Sequence, residues 1–232
     1  MSKDQAPAPK SARPEIDAFL QKVKSLGPVA HTGPRGRLVF ALDATMSRQP
    51  TWDTACKLQA EMFHEAARAG GLDIQLVYFR GLNECRASGW VASGEKLADL
   101  MGRINCVGGH TQIGKVLSHA RAEHGRQRVQ VLVFVGDAME EPIDQLCATA
   151  GELGILGVPA FMFQEGHDAV AENAYREIAR LSGGAYSRFD SGSAQQLGEL
   201  LRAVAAYAAG GRKALAALTQ SAGARALLAQ LK

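Results

Sequence analysis

The sequence predicts an α/β domain built on a mostly parallel sheet, and three observations carry that prediction. Continuous apolar runs recur, foremost RLVFALDA at 37–44 and VQVLVFVGDA at 129–138, each ending at an aspartate. Unbroken apolar runs are what strands buried on both faces of a parallel sheet look like. Between the runs stand segments with apolar residues three and four apart, the spacing of one helical face. Strand-then-helix alternation at this interval reads as a series of βα units. The chain has 232 residues, 47 % apolar and 21 % charged, which suits one large domain with a sizeable core and excludes a largely disordered chain.

The elements follow in order. Residues 1–13 are rich in Pro, Ala, Lys and Ser and read as disordered. Residues 14–26 read as a short helix, with Pro14 in a first helical position and Ile16, Phe19, Leu20, Val23 and Leu26 on one face. Two Gly-Pro pairs, at 27–28 and 33–34, end it and keep the next stretch a loop. The strand at 37–44 is followed by a helix over 50–69, closed by Gly70-Gly71. Trp52, Ala55, Leu58, Met62 and Phe63 make its apolar stripe, so Trp52 is read as core. A strand at 73–81 is paired through a turn at 81–83 to a short strand at 84–91. Helices are expected at 94–103 and 112–124, then the strand at 129–138. Next come a helix at 142–156, a strand at 158–166, a helix at 168–182 and a strand at 185–190. Ala/Leu-rich helices at 193–209 and 212–231 close the chain. The domain reading is a tail plus short helix over 1–35, an α/β body over 36–208, and a basic helical extension over 209–232.

Charge and cysteine content narrow the function. The net charge is only +3, which argues against a nucleic-acid binder. It divides into +4 over 1–37, +4 over 210–232 and −5 between them. The four cysteines, Cys56, Cys85, Cys106 and Cys147, form no Cys-x-x-Cys pair, so no sequence-local zinc site is expected. No apolar stretch approaches the roughly 20 residues of a membrane-spanning helix, and the N-terminus lacks the apolar run of a signal peptide. The expectation is a cytoplasmic protein with reduced thiols.

The chemistry should lie beyond the carboxyl ends of the strands. Asp43 ends one strand and begins Asp-x-Thr-x-Ser with Thr45 and Ser47; Asp137 ends another; Gly108-Gly109-His110-Thr111 opens a helix between them in sequence. Carboxylates and hydroxyls are hard oxygen donors that suit Mg²⁺, and two carboxylates roughly balance a divalent charge. These protein ligands are too few to fill the cation's shell, which leaves a position for a partner.

With those residues in place, residues 36–208 resemble the von Willebrand factor A (VWA) domain family. The resemblance implies a three-layer, doubly wound sheet, mostly parallel, with one short antiparallel edge strand. It implies a metal-ion-dependent adhesion site formed by Asp43, Thr45, Ser47, Thr111 and Asp137. The cofactor is then Mg²⁺ or Mn²⁺, and the open position belongs to an Asp or Glu of another protein. Two departures are visible: Thr45 stands where Ser is usual, and Ala138 follows Asp137 where Gly is common. Met46, Arg48, His110, Met139 and Glu140 are expected around the metal as a partner-binding rim. Bacterial relatives often serve as adaptors to ATPase or stress-response complexes, so such a complex is the expected kind of partner. Neither nucleic acid nor membrane insertion, nor catalysis, is expected.

Two other readings compete. Gly109–Lys115 fits Gly-x4-Gly-Lys, the phosphate loop of a Mg-dependent nucleotide hydrolase, but Val116 stands where the magnesium-binding hydroxyl belongs. The other is a structural scaffold with a vestigial metal site. A phosphorylated Asp43 would want a second Asp where Thr45 stands. His64, His119 and His124 are read as surface residues, and Cys106 as a small buried one.

Overall fold

The computed structural model describes residues 35–67, 71–190, 193–218 and 220–231. The tail and helix expected over 1–34 lie outside the described residues, as does the side chain of Ser47. Six strands form one sheet in the order β3-β2-β1-β4-β5-β6. They are β1 (Gly36–Asp43), β2 (Leu72–Arg80), β3 (Glu84–Val91), β4 (Val131–Gly136), β5 (Ala160–Glu165) and β6 (Ala185–Phe189). All neighbours pair in parallel except β2 and β3, which are antiparallel.

Seven α-helices are described: α1 (Gln49–Ala67), α2 (Gly94–Met101), α3 (Ile113–Arg126), α4 (Ile143–Ile155), α5 (Ala169–Ser182), α6 (Ala194–Ala216) and α7 (Ala222–Leu228). Every residue of β1 is buried, because its side chains alternate into two separate cores. Leu38, Phe40 and Leu42 point to one, with Trp52 and Met62 of α1, Leu97 of α2 and Leu201 of α6. Val39 and Ala41 point to the other, with Val116 of α3, Leu146 of α4 and Tyr175 of α5. Helices thus cover both faces, giving the three layers expected. Trp52 is core as read, 2 % exposed, with its indole N–H donating to the Met101 carbonyl at 3.2 Å.

The C-terminal segment departs from its expected separateness. The boundary set at 208/209 falls inside α6, which carries on through a kink at Gly211 (φ 66°). Leu215, Ala224, Leu227 and Leu231 are buried in the same core as β1. Apolar burial of this kind, worth about 1.5–3 kcal/mol per large side chain, makes 209–231 part of the body. Gln230 beyond α7 also closes the β6 edge. Its side-chain carbonyl accepts from Tyr186 N and its amide donates to Tyr186 O, both at 2.8 Å, which satisfies backbone groups that an edge strand leaves open.

Candidate metal centre

Strand order reverses between β1 and β4, the switch point where open α/β sheets form their ligand crevice. Asp43 is the last residue of β1, and Asp137 directly follows β4. Three loops meet there. Val107 N donates to Ala44 O at 3.0 Å, and His110 N donates to Gly81 O at 3.1 Å, tying the 107–111 loop to the ends of β1 and β2. Gly109 permits the second contact: a Cβ there would lie 2.1 Å from the Gly81 carbonyl oxygen. The result is a pocket of about 230 Å³ lined by Asp43, Thr45, Gly108, Gly109, Thr111, Asp137 and Glu140, among others.

The candidate ligands are held from behind. Thr45 N donates to Asp43 Oδ1 at 2.7 Å. Burial pushes the Asp43 carboxyl up to about 6; the Thr45 hydrogen bonds oppose the rise, the nearby Asp137 charge adds to it, and Arg48 opposes it. Thr111 Oγ accepts from Glu140 N at 3.0 Å, while the Glu140 carboxylate accepts from Thr111 N at 3.1 Å and lies 3.1 Å from His110 Nδ1. Among the described residues no group of three or more His, Cys, Asp or Glu converges as a metal site. A cation here would depend on hydroxyls and water besides its two carboxylates. The donor set fits that: it is all oxygen, and the Asp43 carboxylate is a buried charge that a cation would compensate.

The raised Asp43 carboxyl has a direct consequence for stability. Its folded pKa lies above the unfolded value, so the metal-free fold is favoured while the group is protonated. That advantage fades as pH rises from about 4 to about 6. A shift of about two units corresponds to roughly 3 kcal/mol. Denaturation in EDTA should therefore show stability falling across that window and levelling above it. Excess Mg²⁺ should restore the loss above pH 6.

The rim expected from the sequence divides. Met46 is 63 % exposed, and His110 and Glu140 are also exposed. Met139 is half-buried against the core. Arg48 is not on the rim, being 2 % exposed. It sits on the 3-10 turn Met46–Arg48, which turns its side chain inward to pair with Glu165 at the end of β5, 3.8 Å from Asp137 Oδ2 as well. A guanidinium so buried needs an acid, and the end of β5 supplies it. Sequence reasoning missed Glu165, although AFMFQE is an apolar strand closed by an acid just as those of Asp43 and Asp137 are. His119 and His124 are half-buried rather than on the surface. His119 Nε2 lies 2.9 Å from Gln75 Oε1, and burial lowers its pKa. Cys106 is 5 % exposed, and burial pushes its thiol up to about 11.

At the loop read alternatively as a phosphate cradle, the first amides of α3 already have an acceptor. Ile113 N and Gly114 N both donate to the Glu141 carboxylate, the second at 2.9 Å, as suits an acid at a helix N-terminus. Lys115 Nζ donates to Asn83 O at 3.1 Å and Gln112 Oε1 at 2.9 Å. Residues 104–107 form no strand. These contacts take up the amides and the ammonium that a phosphate would need.

Neither a family model nor a curated protein sequence matches the chain. Solved structures do. An aerotolerance-related membrane protein from Bacteroides fragilis is 18 % identical, with TM-score 0.53 over 70 % of this chain and 96 % of its own. The SpRpn10 VWA domain is 12 % identical, with TM-score 0.55 over 71 % of this chain and 95 % of its own. The fold is that of a VWA domain. Proximal thread matrix protein 1 from the mussel byssus, solved with a zinc-occupied MIDAS motif, is 19 % identical, with TM-score 0.56 over 83 % of this chain. This chain spans 51 % of that protein. At such identities the likeness is one of VWA fold alone. Among the described residues no helix is long and apolar enough to cross a membrane.

Proposed function

We propose that this VWA-type domain is a non-catalytic adaptor that binds another protein through a divalent cation. Asp43, Thr45, Ser47, Thr111 and Asp137 would hold Mg²⁺ or Mn²⁺, with an Asp or Glu of the partner completing the shell. The observation that carries the reading is the meeting of two strand-terminal carboxylates with the Thr45 and Thr111 loops in one open pocket at the switch point. When bound, the cation supplies a positive centre for a partner carboxylate. The chain's own part is to position: Thr45 N fixes Asp43, and Glu140 fixes Thr111.

A second feature supports a protein partner. Seven large apolar side chains are exposed among the described residues, and five of them lie on the carboxyl-terminal edge of the sheet. Met46 follows β1, Leu82 stands in the β2–β3 turn, Val107 precedes α3, and Ile143 and Val170 open α4 and α5. Apolar exposure gathered on one side marks interaction surfaces. A cytoplasmic setting and an ATPase or stress-response complex as partner belong to the same proposal.

The test is capture on immobilised protein loaded with Mg²⁺. The partner should be released by EDTA, be absent from an Asp43→Asn column, and lose binding when one of its own acidic residues is neutralised. A partner retained equally in EDTA and by Asp43→Asn would contradict the proposal.

A further inference from the structure

Arg48 and Glu165 lie beneath the pocket, and neither belongs to the proposed ligand set. Arg48 ends the turn that carries Thr45 and Ser47, and its side chain is 3 % exposed. One guanidinium nitrogen, Nη1, faces two acids from adjacent strand ends: Glu165 in a tight pair, and Asp137 Oδ2 at 3.8 Å. The Thr51 hydroxyl, from the first turn of α1, also donates to Glu165. Arg48 Nε is buried without a hydrogen-bond partner. The guanidinium is therefore held mainly by one acid, has donor capacity left over, and has a second acid within reach.

This arrangement sets up a competition. A buried guanidinium seeks a carboxylate, and Asp137 Oδ2 already lies in ion-pair range of Arg48 at 3.8 Å. If Arg48 closed from 3.8 Å to hydrogen-bond Asp137, it would take up a carboxylate proposed for the cation and bring its positive charge closer. Glu165 prevents this by absorbing the Arg48 charge. With that pair neutral, Arg48 adds no net positive charge to the carboxylates lining the pocket, Asp43, Asp137 and the exposed Glu140.

Resting on the proposed cation site, we propose that Glu165 is a positioning residue that keeps Arg48 from closing on Asp137, and that the Arg48–Glu165 pair shifts the site's preference toward divalent over trivalent ions. Removing only Glu165 leaves an uncompensated cation beside Asp137. Removing only Arg48 leaves an additional, uncompensated negative charge, that of Glu165, near the site. Removing both restores the original balance, and exchanging a buried ion pair as a whole is often tolerated where breaking it is not.

The experiment measures Mn²⁺ affinity by calorimetry and Tb³⁺ affinity by luminescence. The proteins are wild type, Glu165→Gln, Arg48→Met and the double variant, each with its melting temperature in EDTA. Glu165→Gln should bind Mn²⁺ at least tenfold more weakly. Arg48→Met should gain at least tenfold in Tb³⁺ affinity relative to Mn²⁺. The double variant should return to within about threefold of wild type on both measures, a rescue that damage to the fold would not produce. Should either single variant fail to fold, the double variant decides: affinities near wild type support the proposal, and a tenfold loss overturns it. Wild-type binding with Glu165→Gln unchanged overturns this inference alone. No Mn²⁺ binding by wild type or the double variant overturns the cation site and this inference together.

Discussion

Asparagine in place of Asp43 is expected to raise the melting temperature of the metal-free protein and to abolish its stabilisation by Mg²⁺ or Mn²⁺. Asp43 is 3 % exposed, and burial pushes its carboxyl up to about 6, so at neutral pH the fold carries a charge that it holds at a cost. Asparagine removes the charge and keeps an oxygen to accept the Thr45 amide, now at 2.7 Å. The gain should approach the roughly 3 kcal/mol implied by a two-unit shift. At about 2–4 °C per kcal/mol for a chain of this size, the melting temperature rises by several degrees. Wild type should gain about 2.7 kcal/mol from a cation at a hundred times its Kd, and the variant nothing. Thermal melts of both proteins with EDTA and with Mg²⁺ check both halves. A residue that destabilises the empty fold yet is needed for the response to cation is one kept for binding.

Alanine in place of Gly109 should have the largest structural effect near the site. Its Cβ would sit 2.1 Å from the Gly81 carbonyl oxygen and 2.4 Å from Gly81 C and N. These are backbone atoms at the start of the β2–β3 turn, so no side-chain rotation relieves the clash, and the loops must separate. Overpacking of this kind typically costs about 1–3 kcal/mol. Here it should also break the 3.1 Å bond from His110 N to Gly81 O and displace Thr111. Chemical denaturation should show the stability loss, and cation affinity should drop at least tenfold. Gly108→Ala is the control: a Cβ there meets nothing within 4 Å, so stability and affinity should stay near wild type.

Most of the sheet was legible because each strand announces itself locally. Runs such as RLVFALD and VLVFVG are buried on both faces, and the helices between them show their stripes. The antiparallel β3 was legible from the turn that joins it to β2. Asp43 and Asp137 were legible as neighbours because βα topology brings strand ends to one edge however far apart they lie in sequence, and the resemblance to VWA domains implied that Thr45 and Thr111 join them. Arg48 was misplaced because its partner is 117 residues away, and nothing near Arg48 distinguishes a buried ion pair from an exposed one. Glu141 was missed for the same reason: it serves the first amides of α3, 27 and 28 residues earlier. The C-terminal helices were set apart by their basic charge, yet their burial depends on Leu215, Leu227 and Leu231, small apolar contributions in an Ala-rich stretch. Charge marked the outer face of that segment and said nothing of the inner one.

A cation should bind where β1 and β4 end. Substoichiometric Mn²⁺ added to the ¹⁵N-labelled protein tests it most directly, because paramagnetic broadening falls steeply with distance from the ion. The amide signals of residues 43–47, 108–111 and 137–140 should be lost, should recover on adding EDTA, and should not broaden in Asp43→Asn. Broadening centred elsewhere, for example around His119 and His124, or unchanged in Asp43→Asn, would contradict it.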